Sequence, residues 1–165
     1  MRIRLLTVWC FVGINLYVYV TPISAASGPD KISEVYSATI KGDFEEYKEL
    51  LKLAISNRGI KISNTSFISD MLQRTREAVG DNSNIFVNAE AIEFCSATLS
   101  RQMMKADANN ILYCPYIIYI YELATKPGII HLAFRKIPET GARQSRKALE
   151  QVNLLLKGII DETLE

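Results

Sequence analysis

Apolar and polar positions divide the chain into ordered segments separated by turn residues. Residues 35–41 alternate loosely and predict a strand, which Gly42-Asp43 ends. An amphipathic helix is expected next, because Phe44, Tyr47, Leu51, Ala54 and Ile55 recur on one face with Leu50 beside them. Asp43 is its expected N-cap, and Glu46 sits at the capping-box position. Glu45, Glu46 and Glu49 put negative charge where the helix dipole favours it, and Arg58-Gly59 is the stop. Ile60, Ile62 and Thr65 continue as a second strand and complete a strand–helix–strand unit. A shorter helix capped by Ser69 or Asp70 is expected through Val79, with Arg74, Arg76 and Glu77 in solvent. A polar loop over residues 80–84 leads to a strand over residues 85–94. Ser96 or Thr98 then opens a helix to about residue 106, with Leu99, Met103 and Met104 facing inward.

The stretch ILYCPYIIYIYEL, residues 111–123, is rich in β-branched and aromatic residues and apolar on both faces. A strand covered on both sides is expected there. Pro115 has no N–H to give to a ladder, so it marks an edge, a strand start or a bulge. Lys126-Pro127-Gly128 fits a type II turn, and residues 129–137 return as the hairpin partner. Ile130, Leu132 and Phe134 share one side of that partner; His131, Ala133 and Arg135 share the other. A last helix is expected over residues 145–164, with Leu149, Val152, Leu156, Ile159 and Ile160 on its apolar side. These elements amount to an α+β fold: a single compact domain with a partly antiparallel sheet covered by helices.

The N-terminal pattern is of another kind. Arg2 and Arg4 precede an apolar run over residues 5–20; Pro22 and then Ser24, Ala25 and Ala26 follow. Charge, apolar run, breaker and small residues are the order of a secretory signal. Residues 1–26 are therefore expected to be a cleaved signal peptide and residues 27–33 a flexible leader. The apolar run is short for a span of about 20 residues, which favours cleavage over an anchor, and with no second long apolar run no membrane association is expected after cleavage. Residues 34–140 would form the α+β domain and residues 141–165 a C-terminal helical extension. The expected location is outside the cytoplasm, in the periplasm, with full secretion as the alternative.

Composition narrows the function. The 165 residues are 48% hydrophobic and 22% charged, which suits one globular domain rather than a disordered chain. A formal net charge of +1 gives no drive for binding nucleic acid. Loss of residues 1–26 removes Cys10 and leaves a cysteine pair, Cys95 and Cys114. Cys95 falls where a strand meets a helix start, a place that lowers a thiol pKa, and Cys114 directly precedes Pro115. Three readings of the pair stay open: a structural disulfide, two thiolates that react or bind a soft metal such as copper or zinc, and two buried free thiols. His131, Met103 and Met104 are the candidate accessory ligands. Tyr113, Tyr116, Tyr119 and Tyr121 fit either an aromatic groove or sheet-margin packing. Arg135 and Lys136 fit either an anion site or strand-end solubilising charges. The sequence holds no G-x-S-x-G, no phosphate-binding glycine loop and no H-E-x-x-H.

The run EFCSATLSRQMMKADANNILYCPYIIYIYEL, followed by KPG and IIHLAFRK, resembles the domain-of-unknown-function 302 family. GDFEEYKELLKLAISNRGIKI resembles that family's opening strand, helix and second strand. The likeness covers most of residues 34–137, and the family's two cysteines carry over to Cys95 and Cys114. It implies a compact α+β fold, homodimer formation and no settled activity, with some exported relatives accompanying sulfur-compound oxidation or redox functions. The signal sequence and the C-terminal helix stand out as departures from the family pattern. The leading expectation is an exported, soluble, small binding or accessory module centred on Cys95 and Cys114, with a small ligand or an exported redox partner. One rival is a thiol redox enzyme with Cys95 as nucleophile and Cys114 as resolving cysteine. The other is a disulfide-stapled homodimeric interaction protein. No constellation for an autonomous enzyme stands out, and no cofactor is expected beyond a soft metal.

Overall fold

The computed structural model describes residues 34–165; the expected signal peptide and leader, with Cys10, lie outside the described residues. Five strands form one sheet: β1 (Val35–Lys41), β2 (Ile62–Phe67), β3 (Phe86–Phe94), β4 (Tyr116–Leu123) and β5 (Ile129–Arg135). Their order is β1-β5-β4-β3-β2, and every neighbouring pair is antiparallel. The helices are α1 (Phe44–Ser56), α2 (Ile68–Val79), α3 (Ala97–Ala106) and α4 (Arg143–Thr163). The sheet is thus wholly antiparallel, where a partly antiparallel one was expected.

β1 and β2 are the two edges, so α1 has to carry the chain across the full width of the sheet. Its apolar stripe makes that crossing favourable, since Phe44, Leu51, Ala54 and Ile55 are all buried. Asp43 caps it as expected, its Oδ1 accepting from Glu46 N–H at 3.0 Å. Gly59, at φ +66, leaves the helix through the left-handed region. α4 lies alongside α1 and supplies Leu149, Val152, Leu156, Ile159 and Ile160 to the same core. The segment set apart as an extension is therefore one wall of the domain interior. Glu162 ties the two helices by accepting from Asn57 Nδ2 at 2.9 Å and from the Arg58 guanidinium. Tyr36 OH donates to Asp161 at 2.8 Å and joins β1 to α4.

The core lies between these helices and one face of the sheet. Ile92 and Phe94 of β3, Ile118 and Ile120 of β4, and Ile130 and Leu132 of β5 are fully buried there. The opposite face behaves differently. Burial along β4 alternates residue by residue, and Ile117, Tyr119 and Tyr121 are only half-buried. Among the described residues β4 is covered on one face, not both as its apolar composition suggested.

Two local expectations fail for identifiable reasons. Residues 111–113 belong to a 3-10 helix, Ala108–Tyr113, rather than to β4. Asp107 accepts from Asn109 N–H at 2.9 Å, and buried Asn110 donates to Met103 O and Ser145 Oγ, each at 2.9 Å. These polar anchors hold the turn against the strand propensity of Ile111 and Tyr113. The second failure is at α2, which starts straight from β2 with Phe67 at the cap position and no side-chain cap bond. Ser69, expected as that cap, instead donates to Ala89 O of β3 at 3.5 Å.

Candidate functional site

Cys95 and Cys114 are brought together by the β3–β4 ladder. Phe94, the last residue of β3, lies opposite Tyr116, the first of β4. Cys95 follows the first and is followed by Ser96, whose Oγ caps α3 by accepting from Leu99 N–H at 3.4 Å. Cys114 closes the 3-10 helix, its N–H donating to Ile111 O at 3.1 Å. The Cα atoms are 6.5 Å apart, and the sulfurs meet at bonding distance as a disulfide. The pair thus stands as a disulfide rather than as two free thiols. Both residues are half-buried, and Cys114 packs against the core.

A short polar chain runs inward from the pair. Ser100 Oγ is 3.8 Å from Cys114 Sγ and 3.1 Å from Tyr116 OH. Tyr116 OH in turn donates to Met103 Sδ at 3.8 Å. Burial pushes the Tyr116 phenol above its usual pKa, and the Ser100 bond offsets part of that. Met103 is fully buried and Met104 half-buried, so both serve as core side chains.

His131 is elsewhere. It lies opposite Tyr121 in the β4–β5 register, with the rings stacked at 4.7 Å and an interplanar angle of 5°. Tyr121 is seven residues beyond Cys114, on the order of 20 Å at strand rise. The structure therefore does not join His131 to the cysteines. Among the described residues no group of three or more His, Cys, Asp and Glu is placed to hold a metal ion.

His131 Nε2 is buried and has no hydrogen-bond partner. Burial, with help from the Lys126 charge, pushes its pKa below the usual histidine value. The unfolded chain then binds the proton more readily than the folded one. Stability should be complete above the free-histidine pKa of about 6.5 and fall as the pH drops through it toward the folded value. Substitution His131→Phe keeps the stack on Tyr121 and should flatten the dependence of the urea midpoint between about pH 7 and 5.5. An unchanged slope in that variant would remove His131 as its source.

The tyrosines and cations meet in a cleft. β4 and β5 pair only from Tyr119↔Ala133 to Glu122↔Ile130. Beyond that point Phe134 and Arg135 stay with β1, while Tyr116, Ile117 and Ile118 stay with β3. The strands part and leave a cleft of about 280 Å³ lined by Tyr113, Pro115, Tyr119, Arg135, Lys136 and Leu156 among others. Tyr121 takes no part in it; it stacks on His131 and packs edge-on against Phe86. The residue that sequence reasoning missed is Asn153 of α4. Its Oδ1 accepts from Ile137 N–H and its Nδ2 donates to Ile137 O, each at 2.9 Å, so it holds the cleft rim. No periodicity marks such a residue, because a lone asparagine on a helix reads as solvated.

An open antiparallel sheet with α1 and α4 packed on its core face, and a disulfide at one end, defines a small α+β domain. Its family follows from the sequence match: the model for the domain of unknown function DUF302 covers residues 36–163, and the chain belongs to that family. The match takes in α4, the segment that had stood out as a departure. A crystal structure of an uncharacterized conserved protein DUF302 from Bacillus stearothermophilus shares the fold at a TM-score of 0.66 and 12% identity. The alignment covers 79% of this chain and 98% of that one. No curated protein matches the chain.

Proposed function

We propose that this protein is a small exported binding or accessory module whose Cys95–Cys114 disulfide braces the end of the sheet that holds the β4–β5 cleft. One observation carries the reading: Tyr113 and Pro115, the neighbours of Cys114, are walls of that cleft. The bond therefore fixes the mouth of a concave, tyrosine-lined site. The N-terminal charge, apolar run and small residues support export, and an oxidising compartment suits the pair.

The test is the intact mass and redox behaviour of the exported product of the full chain. Loss of residues 1–26, no alkylation before reduction and two additions after it are expected. A bracing bond should have a reduction potential below about −300 mV. Two free thiols in the exported product would overturn the reading.

A second reading is favoured by the Ser100 hydroxyl at 3.8 Å from Cys114 Sγ. In a thiol redox enzyme the Cys95 thiolate would attack a substrate disulfide, and Cys114 would resolve the mixed disulfide, leaving substrate dithiol and the Cys95–Cys114 bond. Ser100 would then stabilise the Cys114 thiolate as it forms. A potential between about −120 and −270 mV would favour this enzyme over the brace.

A further inference from the structure

We propose that the β4–β5 cleft binds a small amphipathic carboxylate, an aromatic or short aliphatic acid whose charged end meets Arg135 and Lys136. This rests on the module reading above and gives its site a ligand class. Four observations carry it.

The first is shape. The cleft exists because the ladder stops at Tyr119↔Ala133, and its volume of about 280 Å³ is at the small end of ligand pockets. A folded macromolecular surface cannot enter it; a molecule about the size of a naphthalene acid can.

The second is charge. Two cations and no carboxylate line the cleft among the described residues. Glu93, placed by the register beside Ile117, has its Oε1 taken by Asn64 Nδ2 at 3.2 Å and Ser66 Oγ at 3.0 Å. The ion pairs among the described residues involve neither Arg135 nor Lys136. A guanidinium fork matches a carboxylate in geometry as well as sign.

The third is a rim already held in place. Lys136 N–H donates to Glu34 O at 2.7 Å, and Asn153 clamps both backbone groups of Ile137. The backbone that carries the cations is therefore ordered before any ligand arrives, which lowers the cost of binding.

The fourth is the character of the walls. Tyr113, Pro115 and Ile117 offer apolar surface, and Tyr116 turns its hydroxyl inward to Ser100 and Met103. An inorganic anion would use the cations and leave these walls wet. An amphipathic acid would cover them.

The probe is 2-naphthoate, titrated into the purified exported product of the full chain and followed by fluorescence and by amide NMR shifts. Saturable binding below about 1 mM is expected, with shifts centred on Tyr119, Arg135 and Ile137. The double variant Arg135→Ala, Lys136→Ala should keep the thermal midpoint and bind at least about tenfold more weakly. The neutral analogue 2-naphthylmethanol should also lose about tenfold. No saturation by about 10 mM overturns the proposal. So do shifts centred on Tyr121 and His131, undiminished binding by the double variant, or displacement by equimolar inorganic phosphate. The mass measurement is made on the same sample. A protein with its disulfide intact that does not bind naphthoate defeats the ligand class alone. Free thiols in a sample that does bind it defeat the brace alone.

Discussion

Replacing Cys95 and Cys114 together by serine should cost about 3 kcal/mol of stability, the chain-entropy contribution of closing a loop of this length. The sequence separation is 19, so the unfolded chain loses a moderate share of its freedom when the bond forms. At the size of this domain the loss corresponds to a fall of roughly 10 °C in the thermal midpoint. The cost should not depend on any ligand, because it arises in the unfolded ensemble. Urea titrations of the oxidised protein, the reduced protein and the double variant test this together. Reduced protein and double variant should agree within about 1 kcal/mol, and m should be larger for both, since the reduced unfolded chain exposes more surface. A double variant as stable as the oxidised protein would mean that the bond does not brace the fold.

Removing the carboxylate of Glu90 should cost a similar amount through a different cause. Lys48 of α1 reaches Glu90 of β3 at 3.2 Å, and the two side chains are only 11% and 10% exposed. Burial works against the lysine charge, yet the bonds to Glu45 and Glu90 outweigh it and hold its pKa above the usual lysine value. The variant Glu90→Leu strands that charge beside the core. Breaking a buried pair from one side costs about 3–5 kcal/mol, and the remaining contact of Lys48 with Glu45 at 2.5 Å should bring this to about 2–3 kcal/mol. The double variant Lys48→Met, Glu90→Leu removes both charges and should recover to within about 1 kcal/mol of the parent. Simple additivity in that cycle would show that the two residues do not interact.

Most of the architecture was legible because periodicity and turn chemistry agree along the chain. β1, the Asp43 cap of α1, the Ser96 cap of α3 and the turn at Gly128 all lie where the residues place them. In the last of these, Ile129 N–H donates to Lys126 O at 3.3 Å around a glycine at φ +78. What failed depended on tertiary partners. Ile111 and Tyr113 have strand propensity, but Asn110 is fixed by Met103 and Ser145, and Ser145 is 35 residues away. Lys48 falls within the apolar stripe of α1, between Phe44 and Leu51, and is buried there with Glu90 as its partner. The candidate site was legible in its parts. The cysteines, the tyrosines and Arg135 with Lys136 were all visible as residue types. Their division between a cleft and a separate His131–Tyr121 stack was not, because it depends on where one ladder stops pairing.

The abrupt passage from β2 into α2 bears on how the chain avoids other chains. An open sheet has two rims where a foreign strand can add, and such addition is a route to aggregates. β2 covers β3 only from Phe94 back to Glu90. α2 then runs along the remainder of β3, with Ser69 fastened to Ala89. That rim is a short strand followed by a helix, which is a poor template for an extended segment. Among the described residues the other rim is β1, seven residues long and alternating between exposed and half-buried positions. Strand addition at the β1 rim would be blocked by a proline at a position of that strand whose N–H does not pair with β5.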